Sequence, residues 1–279
     1  MLKNFKYYAG FTDSDGYVGL SFNKSTNNRY SVYASVAIRN RWDQAEKVLL
    51  PLESEFNTKR FYQEKTNPPG EMQIGISLTG NKAIMFLNQI KNHCIIKKEL
   101  ITFVTEANGK SFTEEELPAI RSKIKELRAD TTLSRKDYPS RQWTAGYIDG
   151  DGCFSSSVTK EGYMSFKLVV ASHKNDPQGV MLLAKHYGGV VNVRKDGNLS
   201  YVLVISKGSL LLSDVLPHLK IKRVQAELIQ EVLNKGSHLK KNGATFESNQ
   251  KLLQHLKMLK QSNQPQRLNE TPSEEEATV

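Results

Sequence analysis

Four aspartates fall in two short segments of this 279-residue chain, and the two segments match each other. Residues 8–16 read YAGFTDSDG and residues 144–152 read TAGYIDGDG. Carboxylates held close together repel each other and favour a cation. Their oxygen ligands suit a hard ion, Mg²⁺ first with Mn²⁺ or Ca²⁺ as substitutes, and such pairs are typical of metal-assisted phosphodiester hydrolysis. The matching positions are Ala9 and Ala145, Gly10 and Gly146, Asp13 and Asp149, Asp15 and Asp151, and Gly16 and Gly152.

A single Asp-x-Asp-Gly sequence is most often no more than a capped turn, because Asp and Gly both favour turns. It also resembles the start of a calcium loop, but the later ligands of such a loop do not follow either copy. The second copy, with Ala-Gly at the same offset, favours a functional interpretation of both.

The elements that must position these residues are also repeated. We predict helices over 3–13 and 141–149, the second capped by Ser140. Glycine in the middle of a helix costs about 1 kcal/mol relative to alanine, so Ala9-Gly10 and Ala145-Gly146 suggest that another backbone approaches closely. If the two helices pack side by side through these pairs, Asp15 and Asp151 follow the two helix ends at one site.

Alternating apolar residues predict two hairpins after each motif. Val18 and Leu20 would face the core, and the residues between them would face away. Asp196-Gly197 is a strong turn signal, and Asp176-Pro177 would cap and begin a helix. The predicted strands are 17–24, 30–41, 58–65, 71–78, 153–160, 163–173, 190–195 and 199–206. The predicted helices between and after them begin near residues 43, 81, 97, 113, 176, 209, 221 and 246.

This order predicts an α+β fold. Two pseudo-symmetric αββαββα domains would pack through the motif helices, each with a four-stranded antiparallel sheet. The first domain would span 1–128 and the second 141–262, joined by a polar linker over 129–140. The tail over 263–279 is polar and acidic, and we expect it to be disordered.

The chain is strongly basic, with a formal net charge of +10. Residues 261–279 carry four Glu against one Arg, so residues 1–260 carry +13. Nucleic acid is the usual partner of such a surface, because neutralised phosphates release counterions. The two cysteines, Cys94 and Cys153, are too few for a disulfide framework and form no zinc motif. With no signal peptide or membrane segment in the sequence, we expect an intracellular protein.

The repeated AGFTDSDG and AGYIDGDG segments resemble the signature of the LAGLIDADG homing endonucleases, in their two-motif single-chain form. Through the element order, the resemblance covers the chain to about residue 262. It implies a monomer whose two sheets form a saddle on the major groove of double-stranded DNA. It also implies Mg²⁺-dependent cleavage of both strands across the minor groove, leaving 3′ overhangs, in the service of intron homing. Tyr8 and Thr144 replace the leading leucine of the signature.

The resemblance also assigns site residues. Asp15 and Asp151 would be the metal ligands, and the inner Asp13 and Asp149 would be structural, close to helix capping. A basic residue belongs in each centre, where it could stabilise the charge on the phosphate. The candidates for it are Lys222 in the second half and Lys97 in the first, with Lys98 a close rival. Polar residues at the ends of the second strands, Arg41 and His173, would help to order water.

The outward faces of the predicted hairpins supply candidates for DNA contact, since Arg and Lys suit guanine and Asn and Gln suit adenine. Because these faces differ between the halves, the target should be asymmetric. The first-half candidates are Ser21, Asn23, Tyr33, Ser35, Arg39, Arg60, Tyr62, Gln73 and Ser77. The second-half candidates are Ser155, Ser157, Lys167, Asn192, Arg194 and Tyr201.

Two other functions fit the same scaffold. One is an intron maturase that binds RNA, with or without cleavage activity. The other is a DNA-binding regulator that has lost catalysis, although such a protein would not need paired acids. Asp15 and Asp151 favour the nuclease. A mitochondrion, a chloroplast or a bacterial cytoplasm would suit each of these functions.

Overall fold

The computed structural model describes residues 3–25, 29–40, 45–66, 69–129, 138–158 and 164–235, with a few positions between 251 and 258. Its first half begins with a helix, two strands, a helix and two further strands. These elements are α1 (Phe5–Asp15), β1 (Gly16–Lys24), β2 (Arg29–Asn40), α2 (Glu46–Phe56), β3 (Arg60–Thr66), β4 (Pro69–Thr79), α3 (Asn81–Ile90), α4 (Lys98–Ala107), β5 (Ser111–Thr113) and α5 (Leu117–Ala129).

The second half repeats the αββαββα order of the first, as predicted. Its elements are α6 (Arg141–Asp151), β6 (Gly152–Val158), β7 (Met164–Ser172), α7 (Gln178–Tyr187), β8 (Val190–Val193), β9 (Leu199–Ile205), α8 (Leu210–Val215) and α9 (Arg223–Lys235). Within the ranges described above, each helix is too short or too polar to cross a membrane.

Each half forms an antiparallel sheet with the same strand order, β1-β2-β4-β3 in the first and β6-β7-β9-β8 in the second. The first sheet departs from the predicted four strands, because β5 also pairs with β2. β2 is 12 residues long, and β4 pairs only with its residues 35–40. The backbone groups left over on that side need partners, and β5 supplies some of them through Ser111–Thr113.

The predicted alternation along the first hairpin is confirmed. Val18, Leu20, Val32 and Val36 are buried in the core. Residues between them point to the opposite face of the sheet, because successive side chains of a strand alternate. In both halves, therefore, one face of the sheet covers the core and the other faces outward.

The helices α1 and α6 pack side by side, and their contact depends on glycine, as the Ala-Gly pairs predict. A Cβ atom added to Gly10 would lie 1.9 Å from the backbone oxygen of Trp143. One added to Gly146 would lie 2.0 Å from the backbone oxygen of Tyr7. Ala9 and Ala145, beside the glycines, are fully buried. The close approach of the two backbones therefore requires a residue without a side chain at both positions.

Both motif helices extend further than predicted. Asp15 and Asp151 are their last residues, not the first residues after them. The N–H of Gly16 still donates to the carbonyl oxygen of Thr12, and Gly152 closes α6 in the same way. At the other end, Ser140 caps α6 as predicted, with its Oγ accepting from the N–H of Trp143 at 3.1 Å.

The predicted cap of α7 is wrong. The helix begins at Gln178 without a side-chain cap, because Pro177 occupies the N-cap position and Asp176 lies one residue before it. The predicted helix near residue 246 is described only at positions 251, 254–256 and 258, and these are helical. The tail over 263–279 and most of the linker over 129–140 lie outside the described residues. The domain boundaries at 128 and 141 stay a prediction.

Candidate active site

The ends of α1 and α6 lie next to each other, and Asp15 and Asp151 belong to these ends. A Cβ atom added to Gly150 would lie 1.9 Å from Ser14 Oγ and 3.4 Å from the backbone nitrogen of Asp15. Glycine at this position in the second motif, opposite serine in the first, therefore lets the two acidic ends meet. Asp15 is exposed, and Asp151 is half-buried.

The electrostatics of this pair favour a cation. Burial raises the pKa of Asp151 to about 7, and the negative charge of Asp15 adds to the effect, while Lys97 and Lys222 oppose it. A proton bound at one of two neighbouring carboxylates relieves their repulsion, and a divalent metal ion would relieve it more completely.

The residues fit a metal ion that takes only part of its ligands from protein. Among the described residues, no group of three or more His, Cys, Asp and Glu side chains could hold a metal. Mg²⁺ commonly binds through one or two carboxylates and completes its shell with water and phosphate oxygens.

The inner carboxylate of the first motif is an anchor, as the resemblance implies. Asp13 is buried and accepts hydrogen bonds from the backbone N–H groups of Ile95 (2.7 Å), Ile96 (3.2 Å) and Lys97 (3.0 Å). It also accepts from Trp143 Nε1 at 2.9 Å, across the boundary between the halves. Asp13 thus fixes the N-terminus of α4 against α1.

The inner carboxylate of the second motif has the same environment. Asp149 accepts from the N–H groups of Lys220 (2.7 Å), Ile221 (3.1 Å) and Lys222 (2.9 Å), just before α9. Its fourth donor is the hydroxyl of Tyr7 at 2.7 Å, again from the opposite half. Each half therefore supplies an aromatic donor to the other half's carboxylate.

The lysine of the first half is attached to the end of the motif helix. Lys97 Nζ donates to the carbonyl oxygens of Thr12 (2.7 Å), Ser14 (3.3 Å) and Gly16 (2.8 Å). A cation at the C-terminus of a helix is favoured by the helix dipole. Lys98 is exposed and begins α4 instead, so Lys97 is the lysine that the fold brings to Asp15.

The lysine of the second half makes the same contacts in a more enclosed position. Lys222 Nζ donates to the carbonyl oxygens of Ile148 (2.9 Å), Asp149 and Gly150 (3.3 Å). Only 1% of the residue is exposed. Burial lowers the pKa of Lys222, while the charges of Asp149, Asp15 and Asp151 oppose that change.

Of the two residues predicted to order water, Arg41 and His173, the structure describes only His173. Arg41 lies outside the described residues. His173 follows β7 and is exposed, and its Nδ1 accepts from the N–H of Asn175 at 3.2 Å. Its role in ordering water stays a prediction.

Asp176 reaches the first centre from the second half, which the sequence did not predict. It lines a cavity of about 290 Å³ together with Gly16, Lys97 and Arg128. One of its carboxylate oxygens is buried and has no hydrogen-bond partner within the described residues. Burial raises the pKa of Asp176 and the charge of Lys97 lowers it. The sequence predicts Asp176 as a helix cap, and no pattern in the sequence indicates that it lies beside α4.

Most first-half candidates for DNA contact lie on the outward face of the sheet. Ser21 lies opposite Tyr33 in the register, and Ser77 follows the buried Ile76. The register puts Arg39 on this face too, but its side chain lies outside the described part of the structure. The candidates described on this face are Ser21, Asn23, Tyr33, Ser35, Gln73 and Ser77.

Arg60 and Tyr62 were assigned to the wrong face. They pair with the buried Ile76 and Ile74, so they lie on the core side of the sheet. Arg60 forms ion pairs with two glutamates of α2, including Glu53 at 3.0 Å. The error arose because Phe61 is the only apolar residue of β3 and suggests the opposite alternation.

In the second half, one candidate is wrong and one lies beyond its strand. Tyr201 is fully buried and pairs with Val170, so it belongs to the core. Arg194 follows β8 in the hairpin turn, where it pairs with Asp196 at 3.7 Å. The candidates on the outward face are Ser155, Ser157, Lys167 and Asn192.

Comparison with known proteins identifies relatives in sequence. Residues 144–226 match the family model of the LAGLIDADG endonucleases. The DNA endonuclease I-CvuI of Chlorella vulgaris is 32% identical over 102 residues, which cover 33% of this chain and 63% of that protein. The chain thus matches less than two thirds of the length of this curated relative.

Solved structures with the same fold cover almost the whole chain. The LAGLIDADG homing endonuclease I-GzeII, in complex with its DNA target, has a TM-score of 0.61 and 16% identity, covering 91% of this chain and 98% of that one. I-SmaMI, bound to an uncleaved DNA target in the presence of calcium ions, has a TM-score of 0.60 and 15% identity, with coverages of 94% and 99%. I-AabMI, bound to uncleaved DNA, has a TM-score of 0.61 and 16% identity, with coverages of 92% and 98%.

Proposed function

We propose that the chain is a homing endonuclease of the LAGLIDADG family, in its two-motif single-chain form, because residues 144–226 match that family's model and residues 8–16 repeat the motif. It would bind a long asymmetric site in double-stranded DNA and hydrolyse one phosphodiester in each strand, leaving 3′ overhangs. The observation that carries the proposal is the meeting of Asp15 and Asp151 at the ends of two closely packed helices.

Charge and shape support DNA as the substrate. The chain carries +10 overall, and both sheets present an outward face with polar residues. β1 and β6 start directly after Asp15 and Asp151, so these faces adjoin the acidic pair. Both centres lie in one chain, which supports a monomer acting on two strands.

Each group of the site would have a distinct role. Asp15 and Asp151 would hold Mg²⁺, with Mn²⁺ or Ca²⁺ as substitutes. When bound, the metal supplies a Lewis acid for the scissile phosphate and a water of lowered pKa. Lys97 and Lys222 place positive charge beside the acidic pair and would stabilise the negative charge that develops on the phosphate. Asp13 and Asp149 hold the segments that carry these lysines.

The test is cleavage of supercoiled plasmids that carry a randomised cassette. With Mg²⁺, we expect a selected subset to become linear, and EDTA should prevent this. Replacing Mg²⁺ with Ca²⁺ should leave binding without cleavage. A chain that retards DNA in a gel-shift assay but never cuts it in Mg²⁺ or Mn²⁺ would be a regulator. A gel shift with structured RNA alone would indicate a maturase.

Two substitutions connect this test to the acidic pair. Asp15→Asn and Asp151→Asn should each abolish formation of linear product while retaining DNA binding in Ca²⁺, because both carboxylates serve the metal. Glu227→Gln is the matched control, since Glu227 pairs only with Arg223 on the surface of α9 among the contacts described. Full cleavage by either aspartate variant would remove the metal assignment.

A further inference from the structure

The outward face of the second sheet carries a patch of valines in place of hydrogen-bonding residues. Cys153 of β6 lies opposite Val169 of β7, Val169 opposite Val202 of β9, and Val202 opposite Val190 of β8. Val204 lies two residues after Val202 on the same face of β9, opposite Lys167. We call Val169, Val190, Val202 and Val204 the valine patch.

The valine patch is accessible. Val190 and Val204 are each 59% exposed, and Cys153 at the edge of the patch is exposed as well. The alternate residues of β7, such as Leu168 and Val170, are fully buried beneath them. The patch therefore belongs to the surface that faces away from the core, over most of the width of the sheet.

The corresponding row of the first sheet is different. Tyr17 occupies the position of Cys153, since each is the second residue of its strand. Tyr17 lies opposite Ala37 of β2, and Ala37 lies opposite Ser77 of β4. Ser35 and Tyr33 extend that face along β2. Apart from Ala37, the first half thus offers hydroxyl groups where the second half offers methyl groups.

Position and charge point to DNA as the partner of the patch. Cys153 follows Asp151 by two residues, so the patch adjoins the acidic pair. Lys167 and Asn192 lie on the same face, and the chain has a strong positive charge. In the major groove, the apolar group that a base presents is the C5-methyl of thymine.

We propose that the second half of the chain reads its half-site through thymine methyl groups, whereas the first half reads by hydrogen bonds. This inference rests on the proposed DNA-binding function and names the chemistry of one half of the target. It assigns the valine patch as the surface that determines specificity in the second half.

The experiment begins with selection of randomised DNA duplexes by the full chain in Ca²⁺. Thymines in each flank of the selected site are then replaced by deoxyuridine, one flank at a time, which removes only the methyl groups. In one flank we expect affinity to fall about fourfold per contacted methyl, equivalent to ~0.8 kcal/mol. Affinity should be unchanged when the other flank is replaced.

Variants connect the sensitive flank to the valine patch. In Val202→Ser and Val204→Ser, deoxyuridine should no longer weaken binding, because the methyl contact is already lost. Val193→Ser is the matched control, because Val193 is 74% exposed on β8 but pairs with Leu199 on the opposite face. This variant should retain the full deoxyuridine effect.

The outcomes separate this inference from the proposed function. A selected and cleaved target that is insensitive to deoxyuridine in both flanks, or equally sensitive in both, would overturn the inference and leave the nuclease. Serine variants that alter the oligomeric state without altering the deoxyuridine effect would make the patch a protein contact. If no duplex is enriched, both proposals fail.

Discussion

The two lysine–aspartate centres share their backbone contacts and differ in their surroundings. In each, an inner aspartate accepts three backbone N–H groups and a lysine donates to three carbonyl oxygens at the end of the motif helix. Lys222 is almost fully enclosed, whereas Lys97 is half-buried beside a cavity that Asp176 also lines. The duplication preserves a backbone arrangement and leaves the side chains around it free to diverge.

The largest effect should come from the feature that the halves share most closely. Gly10→Ala and Gly146→Ala each place a Cβ within 2.0 Å of a backbone oxygen of the other helix. We expect each to lower the free energy of unfolding by about 3 kcal/mol, because two backbones must separate. Chemical denaturation would measure it.

The control for these variants is Gly208→Ala. Apart from its chain neighbours, no atom of the described residues lies within 4 Å of the added Cβ, but φ is 78°. Only the cost of left-handed backbone, about 1 kcal/mol, is expected there. If one motif glycine tolerated alanine as well as Gly208 does, the two helices would not contribute equally to the contact.

The second effect separates the two lysines. Lys222→Met removes the donor from three enclosed carbonyl oxygens, so we expect a loss of about 2 kcal/mol in stability, the cost of buried groups left unpaired. Lys97→Met should lose less, because water can reach the half-buried site. Cleavage should slow far more than binding weakens in both.

Lys98→Met is the matched control for the lysine variants, since Lys98 neighbours Lys97 and is exposed. It should change neither stability nor cleavage. Equal losses of cleavage and binding in Lys222→Met would instead make Lys222 a backbone contact.

A smaller effect depends on pH. Because the pKa of Asp151 is raised to about 7, the folded chain holds a proton between pH 4 and 7 that the unfolded chain has released. The contribution of this group to stability therefore falls as pH rises through that window. Without divalent metal, Asp151→Asn should be about 1–2 kcal/mol more stable than the natural chain at pH 8, and nearly equal to it near pH 4.

The contrasting variant is Asp13→Asn. Its carboxylate already accepts four hydrogen bonds, so the same change should destabilise the protein at pH 8. Thermal unfolding at several pH values, in EDTA, would distinguish the two. A stabilised Asp13→Asn would mean that the cost of burying the charged carboxylate outweighs its four hydrogen bonds.

The smallest effect tests the strand faces. Arg60→Ala should leave DNA selectivity unchanged and reduce stability only slightly, because its ion pairs with α2 are partly exposed. Gln73→Ala, on the outward face of the neighbouring strand, should alter the preferred bases. A change of selectivity in Arg60→Ala would contradict the register of β3.

The sequence predicted what repeats or alternates. Ala-Gly pairs at one offset predicted the contact between α1 and α6, and the apolar residues of β1 and β2 predicted their buried face. β3 was assigned to the wrong face because Phe61 points outward, against the usual rule. The outward position predicted for Tyr201 is wrong, because a tyrosine combines an apolar ring with a hydroxyl group and therefore suits either face of a sheet.

Contacts between the halves were beyond sequence reasoning. Asp176 lies far along the chain from Lys97, and its place beside the first centre depends on how the halves pack. The fifth strand likewise follows from the length of β2 relative to β4, and neither length could be fixed from composition. Local patterns predict elements and their faces, while the neighbours of a side chain require the assembled structure.

Trp143 and Tyr7 occupy matching positions of the two motifs, and each completes the hydrogen bonds of the other half's buried aspartate. If the gene were split between the halves, each fragment would contain a carboxylate lacking its fourth donor and a helix lacking its neighbour. The fragments should therefore fold only when co-expressed, and complementation between them would report directly on this reciprocal contact.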